Sequence, residues 1–222
     1  MRVASLPDFK GWQLEAEILD PGELPLLRGF QRTGGEWQPP PPEFRNSRVD
    51  PPPGYKSEYA VLYTATEIQC VAAETRILRD DREGVVWLPE VAQALRIATF
   101  RLGRAGLFIP LDGRNRKVFK LRGECGSDHQ AYQWLALELH RRYGHLAHGL
   151  SWESFHRNQP GRCYGIWHSR KDDLALGVED ERPRFSEDPR WAAFLSAHPF
   201  IAARPRESGF GVPLALENSA IS

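Results

Sequence analysis

What this 222-residue chain lacks narrows its function before any motif is found. Its three cysteines, Cys70, Cys125 and Cys163, are odd in number, far apart and without a CxxC pair, so neither a disulfide framework nor a zinc knuckle is indicated. Neither sign of charge is in excess, because 29 Lys and Arg balance 29 Asp and Glu. Broad electrostatic binding to nucleic acid or to an anionic membrane is therefore not expected. Long hydrophobic runs are missing, and nothing approaches the length that spans a bilayer. The first nineteen residues carry Asp8, Lys10, Glu15 and Glu17, which is no signal-peptide core, so a reducing cytoplasm is the expected compartment. No GxGxxG follows a strand and no Walker loop occurs, so redox use of a dinucleotide and ATP hydrolysis have no support. His140, His145 and His148 gather near an expected helix end, but no HExxH or carboxylate triad accompanies them. Surface histidines explain them, and no metal is expected. Lysine is scarce: Lys10, Lys56, Lys117, Lys120 and Lys171 are the only ones, so most positive charge is arginine, whose fork binds anions bidentately.

What is present is an ordinary globular composition, 41% hydrophobic and 26% charged, with length enough for one domain and an appendage. Residues 1–32 read as that appendage and 206–222 as a loose tail, leaving 33–205 as the main domain. Gly34, Gly35, Pro39 to Pro42 and Pro51 to Pro53 make residues 33–54 an extended loop, because proline denies the backbone both helix and central strand. Strands are expected at Tyr59–Thr64, Ile97–Arg101, Leu107–Leu111, Lys117–Leu121, Leu150–Trp152 and Cys163–His168. A helix is expected over Glu67–Asp80, with the stripe Ile68, Val71, Thr75 and Leu78. Ser127 and Gln130 form a capping box for a second helix that stops at Gly144, and a third lies near Pro189–Ala197. A polar turn is expected at Arg157–Gly161. Interleaved strands and helices of this kind indicate an α+β or α/β domain.

Three residues stand out chemically. Glu74 falls on or beside the helix stripe, where an ionised carboxylate loses hydration unless it is paired or lies at a cavity. It is either a boundary residue reaching water or a carboxylate at the rim of an apolar pocket. Arg48 sits in a rigid, proline-bounded loop, from which a guanidinium can meet phosphate with little loss of entropy. The plainer reading pairs it with Asp50 or Glu43. Ser154 shares a strand face with Leu150 and Trp152 and then meets a turn, where serine is commonly a turn residue.

Order joins these signals. Arg48-Val49-Asp50-Pro51-Pro52, Tyr63-Thr64-Ala65-Thr66, Ala72-Ala73-Glu74, Gly149-Leu150-Ser151-Trp152-Glu153-Ser154 and Cys163-Tyr164-Gly165-Ile166-Trp167 together resemble the RES domain family, over about residues 44–185. The spacing from Tyr63 to Glu74, 74 − 63 = 11 positions, is similar to the family's tyrosine-to-glutamate spacing. Val49 stands where the family usually carries an aromatic residue. Ser169 competes with Ser154 for the family serine; Ser154 is preferred because the Cys163–Trp167 strand belongs downstream of it.

The resemblance implies a fold similar to that of ADP-ribosyltransferases, a mixed sheet with flanking helices. It implies the toxin half of a bacterial toxin–antitoxin pair that degrades NAD⁺, by hydrolysis or by phosphorolysis with inorganic phosphate as co-substrate. Protein ADP-ribosylation from the same pocket is the alternative within enzymes, and a non-catalytic binding module is the alternative outside them. Carried over by position, Arg48, Glu74 and Ser154 are the catalytic residues, with Arg48, Tyr63 and Ser154 holding NAD⁺, which is substrate rather than cofactor. The implied partner is a helix-turn-helix antitoxin of Xre type, with no direct contact to nucleic acid or membrane. The resemblance also leaves room for a homodimer.

Overall fold

A computed structural model describes residues 2–9, 11–82, 84–119, 129–154 and 161–205. Short runs of leucine, β-branched and aromatic residues make most of the strands. β1 (Arg2–Ser5), β2 (Glu15–Leu19), β3 (Leu26–Phe30) and β4 (Val61–Ala65) precede the first helix, α1 (Ile68–Glu74). β5 (Leu78–Asp81), β6 (Gly84–Trp87), α2 (Pro89–Ala94), β7 (Arg96–Arg101) and β8 (Gly106–Pro110) come next. Then come α3 (Gly113–Phe119), α4 (His129–Tyr143), β9 (Gly149–Glu153), β10 (Arg162–Trp167), β11 (Gly177–Val178), α5 (Pro189–Ala197) and β12 (Ala202–Ala203). No described helix is long and apolar enough to cross a membrane.

The larger sheet has the order β1-β2-β8-β9-β10-β4-β3-β7-β11. All its pairs are antiparallel except β8 with β9. A smaller sheet, β12-β6-β5, lies apart from it. The architecture is thus α+β, as the interleaved pattern indicates. Residues directly opposite one another in a sheet share a face, so register sorts the central side chains. Tyr63, Gly165 and Leu150 form one cross-strand row, and Ala65, Cys163 and Trp152 form the next. This face packs into one core with residues of α1, α4 and α5. Leu62, Tyr164 and Ile166 point the other way, into a second core with Phe100, Phe108 and Leu174. Burying a side chain such as Ile166 contributes about 1.5–3 kcal/mol, so two apolar faces hold the sheet from both sides.

Several sequence expectations change here. Residues 1–32, set apart as an appendage, supply β1, β2 and β3. Pairing of β3 with β7 and of β2 with β8 builds them into the sheet. The helix expected to Asp80 ends at Glu74. Thr75 Oγ1 donates to Val71 O at 2.7 Å, and Arg76 adopts φ 61°, which turns the chain away and sends Leu78 into β5. α1 is also no amphipathic surface helix, since Ile68 to Ala73 are all buried. It lies against β3, β4 and α5. Gly29 of β3 lets it approach, because a Cβ there would stand 2.9 Å from Thr75 Cγ2. Lys117 to Phe119, expected as the start of a strand, instead close α3. The loop over 33–54 contains a 3₁₀ turn at Pro42–Phe44. The expected capping serine Ser127, Cys125, most of the turn at 157–161 and the tail at 206–222 lie outside the described residues.

Candidate functional site

The helix-covered face of β4, β9 and β10 carries the chemistry. Tyr63 occupies the middle of β4, opposite Gly165, and its ring meets the edge of Trp152 at 6.2 Å between centroids. Its hydroxyl is enclosed, with no aligned hydrogen-bond partner among the described residues. Burial first, and then the nearby Asp50 carboxylate, hold the phenol well above its ordinary range. The backbone carbonyl of Tyr63 accepts from Arg28 Nη1 at 3.1 Å. Arg28 is itself buried, and loss of hydration pushes its guanidinium down to about 10.

Glu74 ends α1 and is exposed as a residue, which places it at the boundary with water rather than within the buried stripe of α1. The carboxylate nevertheless reaches back over the sheet, where its Oε1 lies 3.9 Å from Cys163 Sγ. The helix-end position explains both facts. With no further turn above it, the side chain has one flank in water and the other against β10.

Ser154 follows the last residue of β9. Its amide donates to Gly161 O at 3.3 Å, closing the mouth of the β9–β10 pair. Its Oγ is buried without an aligned partner among the described residues and sits beside the Cys70 thiol. Gly161 makes this approach possible. At φ +137° it holds a backbone that side chains rarely adopt, and a Cβ there would stand 2.5 Å from Cys70 Sγ. The competing serine, Ser169, is exposed in the turn beyond Trp167, at the opposite end of β10.

Arg48 is carried by a loop pinned from three sides. Ser47 N donates to Asp50 Oδ2 at 2.7 Å, Gln133 Nε2 of α4 donates to Ser47 O at 2.9 Å, and Tyr59 Oη donates to Val49 O at 3.1 Å. Val49 is fully buried, which suits an aliphatic residue at that position. The half-buried Arg48 directs its guanidinium over the Tyr132 ring, 5.7 Å from its centroid. Asp50, whose own ionisation is pushed up by burial, links this loop to Tyr63. The fold thus brings Tyr63, Glu74 and Ser154 onto one sheet face through Cys70 and Cys163, and it ties the Arg48 loop to Tyr63 through Asp50. Sequence reasoning missed Asp50, Cys70 and Cys163 as parts of this cluster. Only the Asp50-Pro51 step beside Arg48 hinted at the first.

The three histidines separate in space. His140 stacks on Tyr59, His148 Nδ1 accepts from Leu107 N at 3.0 Å, and His145 is exposed. His140 and His148 are partly buried rather than surface residues. Among the described residues, no group of three or more His, Cys, Asp or Glu is placed to hold a metal. A depression of about 440 Å³ lined by Glu90, Gln93, Ala94, Arg96 and Arg184 contains none of the candidate residues.

The sequence matches the RES domain over residues 27–191, beginning before the motifs themselves do. No curated protein matches the chain. Among solved structures, the chain is similar to one in the crystal structure of the M. tuberculosis MbcT–MbcA toxin–antitoxin complex. The TM-score is 0.51 at 14% identity, covering 75% of this chain and 87% of that one, which is a likeness of fold.

Proposed function

Because this chain belongs to the RES domain family, we propose that it is the toxin of a toxin–antitoxin pair and consumes NAD⁺ by breaking the nicotinamide–ribose bond. The observation that carries this reading is the convergence on one sheet face of the Tyr63 ring, the Ser154 side chain beside Cys70, and the Glu74 carboxylate beside Cys163. The ring of nicotinamide would lie near Tyr63 and Trp152, with its amide edge toward the Ser154 side.

The chemistry suits these residues. Breaking the bond builds positive charge on the ribose, an oxocarbenium-like state, and the nicotinamide leaves neutral, so no strong general acid is needed. Glu74, held on the rim with one flank against protein, stabilises that charge or grips the ribose hydroxyls. Arg48 meets the pyrophosphate with two parallel N–H donors. Ser154 orients the nicotinamide side. Attack by water yields ADP-ribose, and attack by inorganic phosphate yields ADP-ribose 1″-phosphate. An enzyme of this kind harms its own cell, so a helix-turn-helix antitoxin of Xre type would cover the site.

The test is incubation of the purified chain with NAD⁺, with and without phosphate, and chromatography of the products. Free nicotinamide with ADP-ribose or its phosphate is expected, and label transferred to protein would instead identify a protein ADP-ribosyltransferase. Glu74→Ala should slow NAD⁺ loss by about a hundredfold or more with an unchanged melting curve. Retention of the rate within a few-fold would remove Glu74 from this role.

A further inference from the structure

α4 carries none of the motifs of the candidate site, yet it holds both ends of the loop that presents Arg48. Gln133, a buried amide, donates through Nε2 to Ser47 O at 2.9 Å. The residue before it, Tyr132, is also buried and sets its ring under the Arg48 guanidinium, 5.7 Å from Cζ to the ring centroid. The residue after it, Trp134, faces outward and meets the Tyr55 ring edge-on, with 5.3 Å between centroids. Arg141 lies two helical turns beyond Trp134 and so on the same face. Its guanidinium covers the Tyr55 ring at 4.9 Å and pairs with Glu58. Between the two attachments run Pro51, Pro52 and Pro53. Proline fixes φ, so a displacement at one end of the loop is passed along the chain rather than absorbed by it.

We propose that α4 is the seat of the Arg48 loop and that Gln133 is a positioning residue, which sets how tightly the substrate's pyrophosphate is held and takes no part in bond breaking. When the Gln133 bond is lost, residues 47–50 spend part of their time in positions from which Arg48 does not reach the anion. Apparent affinity then falls in proportion to the competent fraction that remains. The rate of the bound complex is untouched, because Glu74 is carried by a different element, α1. An interaction that holds ground state and transition state alike appears in KM and not in kcat. Removing one neutral hydrogen bond is expected to weaken binding by about three- to tenfold.

The kinetic effect rests on the NAD⁺-cleaving reading, whereas the hold on the loop and on an anion does not. The test compares the full chain with Gln133→Met, which keeps the length of the side chain but not its donor. KM for NAD⁺ should rise about three- to tenfold with kcat nearly unchanged. Inorganic pyrophosphate, titrated by calorimetry, should bind more weakly by the same factor. Without any ligand, deuterium uptake over residues 44–58 should increase. Gln133→His, which returns an N–H at that reach, should restore most of each value. In an Arg48→Ala background Gln133→Met should weaken pyrophosphate binding no further. Trp134→Ala, made on the surface, should give the same pattern in smaller degree, and it serves as the test where Gln133→Met does not fold. Unchanged uptake, a loss confined to kcat, or a full additional loss in the Arg48→Ala background overturns the proposal. So does wild-type protein that binds pyrophosphate no better than Arg48→Ala does. If the wild-type chain consumes no NAD⁺, the functional reading fails, while uptake and pyrophosphate binding still decide the role of Gln133.

Discussion

Arg48 shows how much a single side chain depends on the backbone that presents it. Hydrogen bonds from Gln133, Tyr59 and the Ser47 amide fix residues 47–50, so the guanidinium loses little entropy when it meets an anion. Lysine at this position keeps the charge but has one point donor where arginine has a planar fork. Charge-assisted hydrogen bonds contribute about 1.5–3 kcal/mol, so Arg48→Lys should lower kcat/KM for NAD⁺ by about 10- to 100-fold. Most of the change is expected in KM, because pyrophosphate is held alike before and during bond breaking. Initial rates over a range of NAD⁺ concentrations check this, and a fall confined to kcat would contradict a clamping role. At this scale the sequence is informative in an uneven way. The types and order of Arg48, Tyr63, Glu74 and Ser154 are visible in it. The contact of Glu74 with Cys163 is not, because it joins positions 89 residues apart.

Among the elements, α1 decides where the carboxylate sits, and its end is set by two residues. Thr75 folds its hydroxyl back to Val71 O, and Arg76, exposed, holds φ 61°. A left-handed backbone crowds any Cβ, at a cost of about 1–2 kcal/mol, which glycine avoids. Glycine also frees the unfolded chain, which offsets part of that gain. Arg76→Gly should therefore stabilise the protein by about 0.5–1 kcal/mol, read as a higher urea midpoint at unchanged slope. A lower midpoint would mean that the arginine side chain holds the turn. The same residues explain why the sequence pattern overstates the helix. Thr75 and Leu78 continue the apolar spacing of Ile68 and Val71, and periodicity alone does not register a reversal that depends on one φ angle. Lys117 to Phe119 mislead in the opposite sense, since weak alternation over a few residues is compatible with the last turn of a short helix. By contrast, Pro189–Ala197 is legible because Asp188 caps it, accepting from Arg190 N, and proline occupies its first turn.

In the whole molecule, distant strands are joined at one arginine that no local motif marks. Arg162 of β10 donates to Glu17 of β2 at 2.6 Å, to both oxygens of Asp112 after β8 at 3.2 Å, and to Ser151 of β9 at 3.2 Å. Glu17 is 1% exposed, so its charge depends on this partner. Arg162→Met should cost about 3–5 kcal/mol by stranding Glu17, and Glu17→Gln in that background should recover part of the loss in urea unfolding. Acid should act on the same stability by another route. Burial lowers the ionisation of His140, His148 and His168 from the ordinary value of 6.5. The unfolded chain therefore takes up protons at a pH where the folded one still resists them. Stability is complete above 6.5 and is lost as pH falls through the depressed values. His148 makes the cost structural, because its Nδ1 must stay unprotonated to accept from Leu107 N. The melting temperature should fall as buffer is taken from about pH 7.5 to 5.5. His148→Asn, which retains an acceptor for that amide, should make the fall shallower. A melting temperature that holds level over this range would show that the folded histidines protonate as easily as free ones.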